Sequence, residues 1–233
     1  MVATRKGRRK RRRRISGEMK QFKLGLYVIT GVDPERERGH LDVARAALEG
    51  GADALQLRDK GLGGRGMLRL AQELRGMIGR SGRPCLFTVN DRVDVALAAE
   101  ADGVHLGQED LPAAAARRLI GEEMILGVSA STVEEAMRAQ EEGADYLGVG
   151  PVFATPSKAD AGAPIGIGGL RAIVDTVDLP VVAIGGIDEE KAIRVLEAGA
   201  SGIAVISAVT AAPDMLEAVR RLRRAVDSCL PGR

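Results

Sequence analysis

Short apolar runs alternate with longer amphipathic stretches along most of this chain, and the alternation predicts its secondary structure. The runs are LGLYVIT (24–30), ALQLR (54–58), PCLFTVN (84–90), GVHLG (103–107), ILGVS (125–129), YLGVG (146–150), PVVAIGG (180–186) and GIAVIS (202–207). They are short, nearly continuous in apolar character and together rich in Val and Ile, as strands covered by helices on both faces tend to be. Between them, stretches such as LDVARAALEG, VEEAMRAQEEG and EEKAIRVLEAG place apolar residues at helical spacing. Three of these close on a similar phrase, EGGADAL, EGADYL and AGASGI. A glycine there takes the left-handed cap conformation, and the small residues after it turn the chain into the next strand.

The strand starts run from residue 24 to residue 202, about 25 residues per unit, the length of a βα repeat. Eight such units in 233 residues point to a closed (β/α)8 TIM barrel, an α/β fold of one domain. An open doubly wound sheet would use fewer strands and a glycine-rich turn after the first, which VITGVD is not. The expected organisation is a basic, disordered tail over 1–18 and a catalytic barrel over 19–233.

Charge changes the picture at one end only. The chain carries a formal +2, but residues 5–14, RKGRRKRRRR, hold nine of its 34 basic residues and no acid. From Ile15 onward, 25 basic residues face 32 acidic ones, a net charge of −7. Such a tail cannot bury apolar surface. It would bind nucleic acid only through phosphates, because aromatic residues for stacking make up 2% of the chain and Trp is absent. Alternatively, it is a translated purine-rich leader and the native start is Met19, which mass spectrometry of the native protein decides. No apolar run reaches the ~18 residues of a membrane span, and no secretory signal is recognisable. Cys85 and Cys229 lie far apart with no metal-ligand spacing, so they read as free thiols of a cytoplasmic protein. Oligomeric state stays open.

In a barrel of this kind, chemistry collects on the loops after the strands. The second strand delivers Gln56, Arg58 and Lys60; the third ends in Asn90 and Asp91; the fourth leads to Asp110; the fifth ends in Ser129. The sixth runs into GPVFATPSK, with Thr155, Ser157 and Lys158. Asp91 and Asp110 are each explained equally well as helix caps. Taken together, however, the basic groups suit phosphate oxygens, and carboxylates beside them suit Mg²⁺, which is commonly held by one or two carboxylates with substrate phosphates. Gly185–Gly186 and Ile206–Ser207, after the last two strands, stand where this fold binds phosphate through backbone amides. Two anionic pockets fit a transferase with two substrates. No nucleophile–base–orienter set is present, and His40 and His105 read as structural or solvated.

The strings QLRDK, VNDRVDVAL, DGVHLGQEDL, LGVSAST, GADYLGVGPVFATPSK, IGGI and VISAV resemble, in order and spacing, the thiamine-phosphate synthase family, from about Leu26 to Ser207. The resemblance implies a transferase that joins 4-amino-5-hydroxymethyl-2-methylpyrimidine diphosphate to a thiazole phosphate, two small phosphorylated heterocycles. The products are thiamine phosphate and pyrophosphate, with diphosphate leaving before the thiazole nitrogen attacks. It implies pyrimidine-diphosphate contacts at Gln56, Leu57, Arg58, Asp59, Lys60, Asn90, Ser129 and Lys158, of which Arg58, Lys60, Ser129 and Lys158 are catalytic. It implies Mg²⁺ ligands at Asp91 and Asp110, and thiazole-phosphate contacts at Thr155, Pro156, Ser157, Gly186, Ile206 and Ser207. Ser157 stands where the family often has Thr, and Ser131 where relatives commonly show His. A related thiazole tautomerase relies on a histidine at the latter position, so Ser131 favours the synthase over that isomerase. Other phosphate-binding barrel enzymes would not need the Asp91–Asp110 pair. A nucleic-acid-binding protein acting through its tail is the rival of another class, marked by salt-sensitive DNA binding lost with residues 1–18.

Overall fold

A computed structural model describes residues 23–155 and 162–230. The basic tail, Met19, and the expected site residues Pro156, Ser157 and Lys158 therefore lie outside the described residues.

All eight predicted strands form: β1 (Leu26–Ile29), β2 (Ala54–Leu57), β3 (Leu86–Asn90), β4 (Gly103–Leu106), β5 (Ile125–Ala130), β6 (Tyr146–Val149), β7 (Val181–Ile184) and β8 (Gly202–Val205). They pair in parallel in sequence order, and β1 pairs with β8 to close the barrel. Most are shorter than the runs: β1 and β3 start two residues later, and the last residues of the runs at β2, β4, β6, β7 and β8 already belong to the loops at the mouth. The helices between them are α1 (His40–Gly50), α2 (Gly64–Ser81), α3 (Val93–Ala98), α4 (Ala113–Ile120), α5 (Val133–Glu141), α6 (Gly166–Thr176) and α7 (Glu189–Glu197). A short α8 (Ser207–Thr210) and the long α9 (Met215–Cys229) follow β8. Among the described residues no helix is long and apolar enough to cross a membrane.

Period-two alternation divides each strand between two cores. Leu26 and Val28 of β1 and Leu55 and Leu57 of β2 pack outward against the helices, in the main apolar core. Tyr27, Ile29 and Ala54 turn inward, where they meet Tyr146, Val182 and Ala204. The recurring Gly-Ala joint works as its composition predicts: Gly51, Gly143 and Gly199 have φ of 89°, 96° and 100°, values a side chain resists. An aspartate at three of the helix-to-strand joints, those before β2, β4 and β6, does something periodicity does not show. Asp53 Oδ2 accepts from Leu26 N and from Arg223 of α9. Asp102 Oδ2 does the same for Phe87 N and Arg75 of α2, and Asp145 Oδ2 for Leu126 N and Arg117 of α4. Each carboxylate thus satisfies an amide within the first two residues of a neighbouring strand and ties that strand to an outer helix.

The barrel interior is polar at its centre. Tyr27, Thr88, Gln56 and Tyr146 join through hydroxyl and amide hydrogen bonds, with Gln56 Nε2 and Tyr146 Oη each 3.0 Å from Tyr27 Oη. Space for these rings depends on Gly127, where a Cβ would overlap both the Tyr146 ring and the His105 imidazole. Gly127→Ala is therefore expected to destabilise the protein by about 2–3 kcal/mol through overpacking, a fall in Tm of roughly 5–10 °C for a domain of this size. Gly168→Ala, on α6 with nothing within 4 Å of a new Cβ, is the control and should not lower Tm. Equal Tm values in thermal melts would show that the inner core yields freely.

Candidate active site

The mouth at the carboxyl ends of the strands holds a cavity of about 560 Å³. Arg58, Lys60, Asn90, Asp91, Asp110 and Ser129 line it from the β2–β5 arc. Thr155, Gly186, Ile206 and Ser207 line it from the β6–β8 arc. Ten of the expected site residues thus converge on one space, although up to 149 positions separate them in sequence, from Arg58 to Ser207.

Three others do not. Leu57 is fully buried in the outer core. Gln56 points into the barrel and gives its amide to Tyr27. Asp59 turns away from the cavity: one oxygen meets His40 and the other accepts from the amides of Gly61 and Leu62. Both oxygens of this residue, expected to touch substrate, thus have partners in α1 and in its own loop.

The capping explanations of the two carboxylates are also overturned. The residue before α3 is Arg92, which makes no side-chain cap, and α4 starts behind Pro112. Asp91 follows β3 with φ of 62°, a left-handed backbone that an aspartate tolerates better than most residues. Its Oδ2 lies 3.0 Å from Lys60 Nζ. Asp110 Oδ2 accepts from Gly107 N at 2.7 Å, within the loop after β4. The Asp91 carboxyl is pushed above its ordinary value by burial first, then by the adjacent Asp110 carboxyl, with Lys60 opposing both. A second carboxyl beside Asp91 that raises its cost of ionisation makes this a place that favours a cation. Among the described residues no group of three or more His, Cys, Asp or Glu is disposed to hold a metal. Two carboxylates are the protein ligands that Mg²⁺ commonly takes alongside water and substrate phosphate oxygens.

At the floor, Ser129 Oγ lies 2.9 Å from His105 Nε2, and His105 Nδ1 lies 2.9 Å from Tyr146 Oη. Burial, and then the neighbouring Tyr27, push the Tyr146 phenol well above its ordinary value and keep it protonated. A phenol is the better donor and an imidazole nitrogen the better acceptor, so Tyr146 donates to Nδ1 and Nε2–H donates to Ser129. In that order Ser129 Oγ accepts from His105 and keeps its own O–H as a donor at the cavity wall. His40 and His105 are both buried, so neither is solvated. His105 supports a cavity residue, a role its place inside a strand did not reveal. Gln108 was also missed: its Nε2 donates to Ser129 O at 2.6 Å and its Oε1 accepts from Arg138. Its signal stood in the string GQED, beside Asp110.

On the opposite arc, Gly185 and Gly186 have φ of 101° and 63°. A Cβ at Gly186 would overlap the Ala154 carbonyl of the β6 loop, so this turn packs backbone on backbone while lining the cavity. Ser131 lines the cavity as well and donates its hydroxyl to Glu135 at 2.9 Å.

A family model described as thiamine monophosphate synthase matches residues 26–209. The thiamine-phosphate synthase of Chloroflexus aurantiacus is 55% identical over 201 residues, covering 86% of this chain and 92% of that protein. The thiamine-phosphate synthase of Moorella thermoacetica is 53% identical over 201 residues, covering 86% and 95%. Among solved structures, thiamine phosphate pyrophosphorylase from Pyrococcus furiosus is 46% identical with a TM-score of 0.81, covering 90% of this chain and 98% of that one.

Proposed function

The chain belongs to the thiamine monophosphate synthase family, and we propose that it joins 4-amino-5-hydroxymethyl-2-methylpyrimidine diphosphate to a thiazole phosphate, releasing pyrophosphate. Its relatives make it a transferase of thiamine biosynthesis; the substrates and the order of bond changes are the proposal. The observation that carries it is the meeting of Arg58, Lys60 and the Asp91–Asp110 pair on one arc with the Gly185–Gly186 turn on the other, across one cavity.

The diphosphate takes the basic arc. Arg58 offers planar, charge-assisted donors to its oxygens. Lys60 shares one contact with Asp91 and retains further N–H donors for phosphate. The Ser129 O–H, held by His105, donates to the same ligand. Asp91 and Asp110 would hold Mg²⁺, which when bound neutralises the charge that accumulates on a departing pyrophosphate. These groups favour cleavage of the methylene–oxygen bond by stabilising the leaving anion, and no protein base is required. Thr155, Gly186, Ile206 and Ser207 would seat the monophosphate of the second substrate, so that its ring nitrogen faces the electron-poor methylene as the first bond breaks. Lys158, Pro156 and Ser157 belong to the same proposal by resemblance alone. The structural support for a synthase over a tautomerase-like isomerase is the paired carboxylate site, which proton transfer on one substrate would not use.

Steady-state assay with both substrates, with and without Mg²⁺, tests this. Turnover should require both heterocycles, release one pyrophosphate per coupling and depend on the divalent ion. Turnover of a single thiazole phosphate without metal would replace the transferase with the isomerase.

A further inference from the structure

Both oxygens of Asp59 already serve the protein, and where those bonds lead is informative. His40, the first residue of α1, is 6% exposed. Its Nε2 lies 2.9 Å from Asp59 Oδ2 and its Nδ1 2.8 Å from Thr30 Oγ1. Thr30, just past β1 and 1% exposed, in turn accepts a long hydrogen bond of 3.4 Å from the Arg58 amide. The remaining Asp59 oxygen takes the amides of Gly61 and Leu62 at 2.7 and 2.8 Å.

Donor and acceptor counting permits a closed circuit with every group satisfied. Arg58 N–H donates to Thr30 Oγ1, the Thr30 O–H donates to His40 Nδ1, and His40 Nε2–H donates to Asp59. Asp59 then receives Leu62 and Gly61, so the circuit leaves the β2 loop at Arg58 and returns to it at Gly61–Leu62. The two cavity cations, Arg58 and Lys60, stand inside that span. His40 itself does not line the cavity.

We infer that His40 is a positioning residue for diphosphate binding: by clipping both ends of the 58–62 loop to β1 and α1, it holds Arg58 and Lys60 aimed into the mouth. The inference rests on the proposed placing of the diphosphate on this arc. Burial pushes the Asp59 carboxyl up, but the bonds from His40, Leu62 and Gly61 outweigh it and hold the group below its ordinary value, in keeping with a carboxylate used as an anchor. Long, rotamer-rich side chains such as Arg and Lys bind an anion well only when their backbone is fixed, because ordering the loop on binding would subtract from affinity.

The test is titration of the full chain with inorganic pyrophosphate in the presence of Mg²⁺, together with KM for each substrate. His40→Asn keeps a polar group near Thr30 and cannot reach Asp59. It should weaken pyrophosphate binding about tenfold, the value of one to two net hydrogen bonds. KM for the thiazole phosphate should stay within about twofold, since that pocket lies on the other arc. His40→Gln, whose amide reaches toward the Nε2 position, should recover most of the affinity. Thr30→Val, nearly isosteric, opens the circuit at its other end and should weaken pyrophosphate several-fold, which covers the case in which His40→Asn does not fold. Arg58→Ala is the reference. If it weakens pyrophosphate while the His40 and Thr30 variants bind as before, the positioning role is overturned and the diphosphate assignment stands. If Arg58→Ala also changes nothing, the assignment itself fails and takes the inference with it. Equal loss for both substrates accompanied by a lower Tm would make His40 a purely structural residue and overturn the inference.

Discussion

Arg58→Ala is expected to lower kcat/KM for the pyrimidine diphosphate by roughly 10²–10³, the loss typical of removing one preorganised donor to a developing anion. Arg58 directly follows β2 and lines the cavity, and its amide reaches Thr30 in a long hydrogen bond of 3.4 Å, so the truncation removes a cavity charge from a backbone that is already held. Lys60 cannot substitute for it. Its ammonium is engaged with Asp91 at 3.0 Å, and it is a point charge where Arg58 is a planar fork. The loss should fall on turnover as well as on KM, because the negative charge to be held increases as the methylene–oxygen bond breaks. Arg58→Lys should restore only part of the rate. An effect confined to the thiazole phosphate would show that the two anion pockets are exchanged.

Removing either carboxylate of the proposed ion site should be as costly. Asp91→Asn and Asp110→Asn are each expected to reduce turnover by roughly two orders of magnitude or more and to flatten its response to Mg²⁺, because a hard divalent ion prefers charged oxygen ligands. Asn is the better replacement at position 91, where φ is 62°, since Asn tolerates the left-handed region and Ala does not. Direction of pH dependence follows from the Asp91 shift. Burial and the neighbouring Asp110 raise its carboxyl above the ordinary 3.8, so acidification protonates it while isolated carboxylates are still charged. The concentration of Mg²⁺ giving half-maximal rate should therefore climb as pH falls toward that raised value, which titration of the rate with Mg²⁺ across pH measures. In Asp110→Asn the like-charge repulsion is gone, and whatever acid limb remains should move to lower pH. Unchanged kinetics in both variants would remove the metal from the mechanism.

Much of the molecule is written locally in its sequence. Strands such as LYVI and GIAV are apolar on both faces, so they must be covered on both, as in a parallel sheet wrapped by the helices that alternate with its strands. Glycine at 51, 143 and 199 marks the helix ends because a left-handed backbone excludes most other residues. Arg58, Lys60, Asp91, Asp110 and Ser129 could be singled out because strand ends are read directly from the pattern, and strand ends share one rim in a closed barrel. What each polar side chain does at that rim was beyond the reach of pattern. Asp59 stands between two cations in QLRDK, yet it faces His40, 19 positions earlier, because a loop turns consecutive side chains in different directions. Asp91 and Asp110 looked equally like helix caps until the closed barrel set them side by side. His105 appeared to be one more strand residue until Gly127, Tyr146 and Ser129 from neighbouring strands surrounded it. Periodicity is a property of adjacent residues and so specifies elements and faces. Hydrogen-bond partners and like-charge pairs are chosen by distances of a few ångströms between residues remote in the chain, and only the pairing of strands in the folded barrel brings those residues within reach.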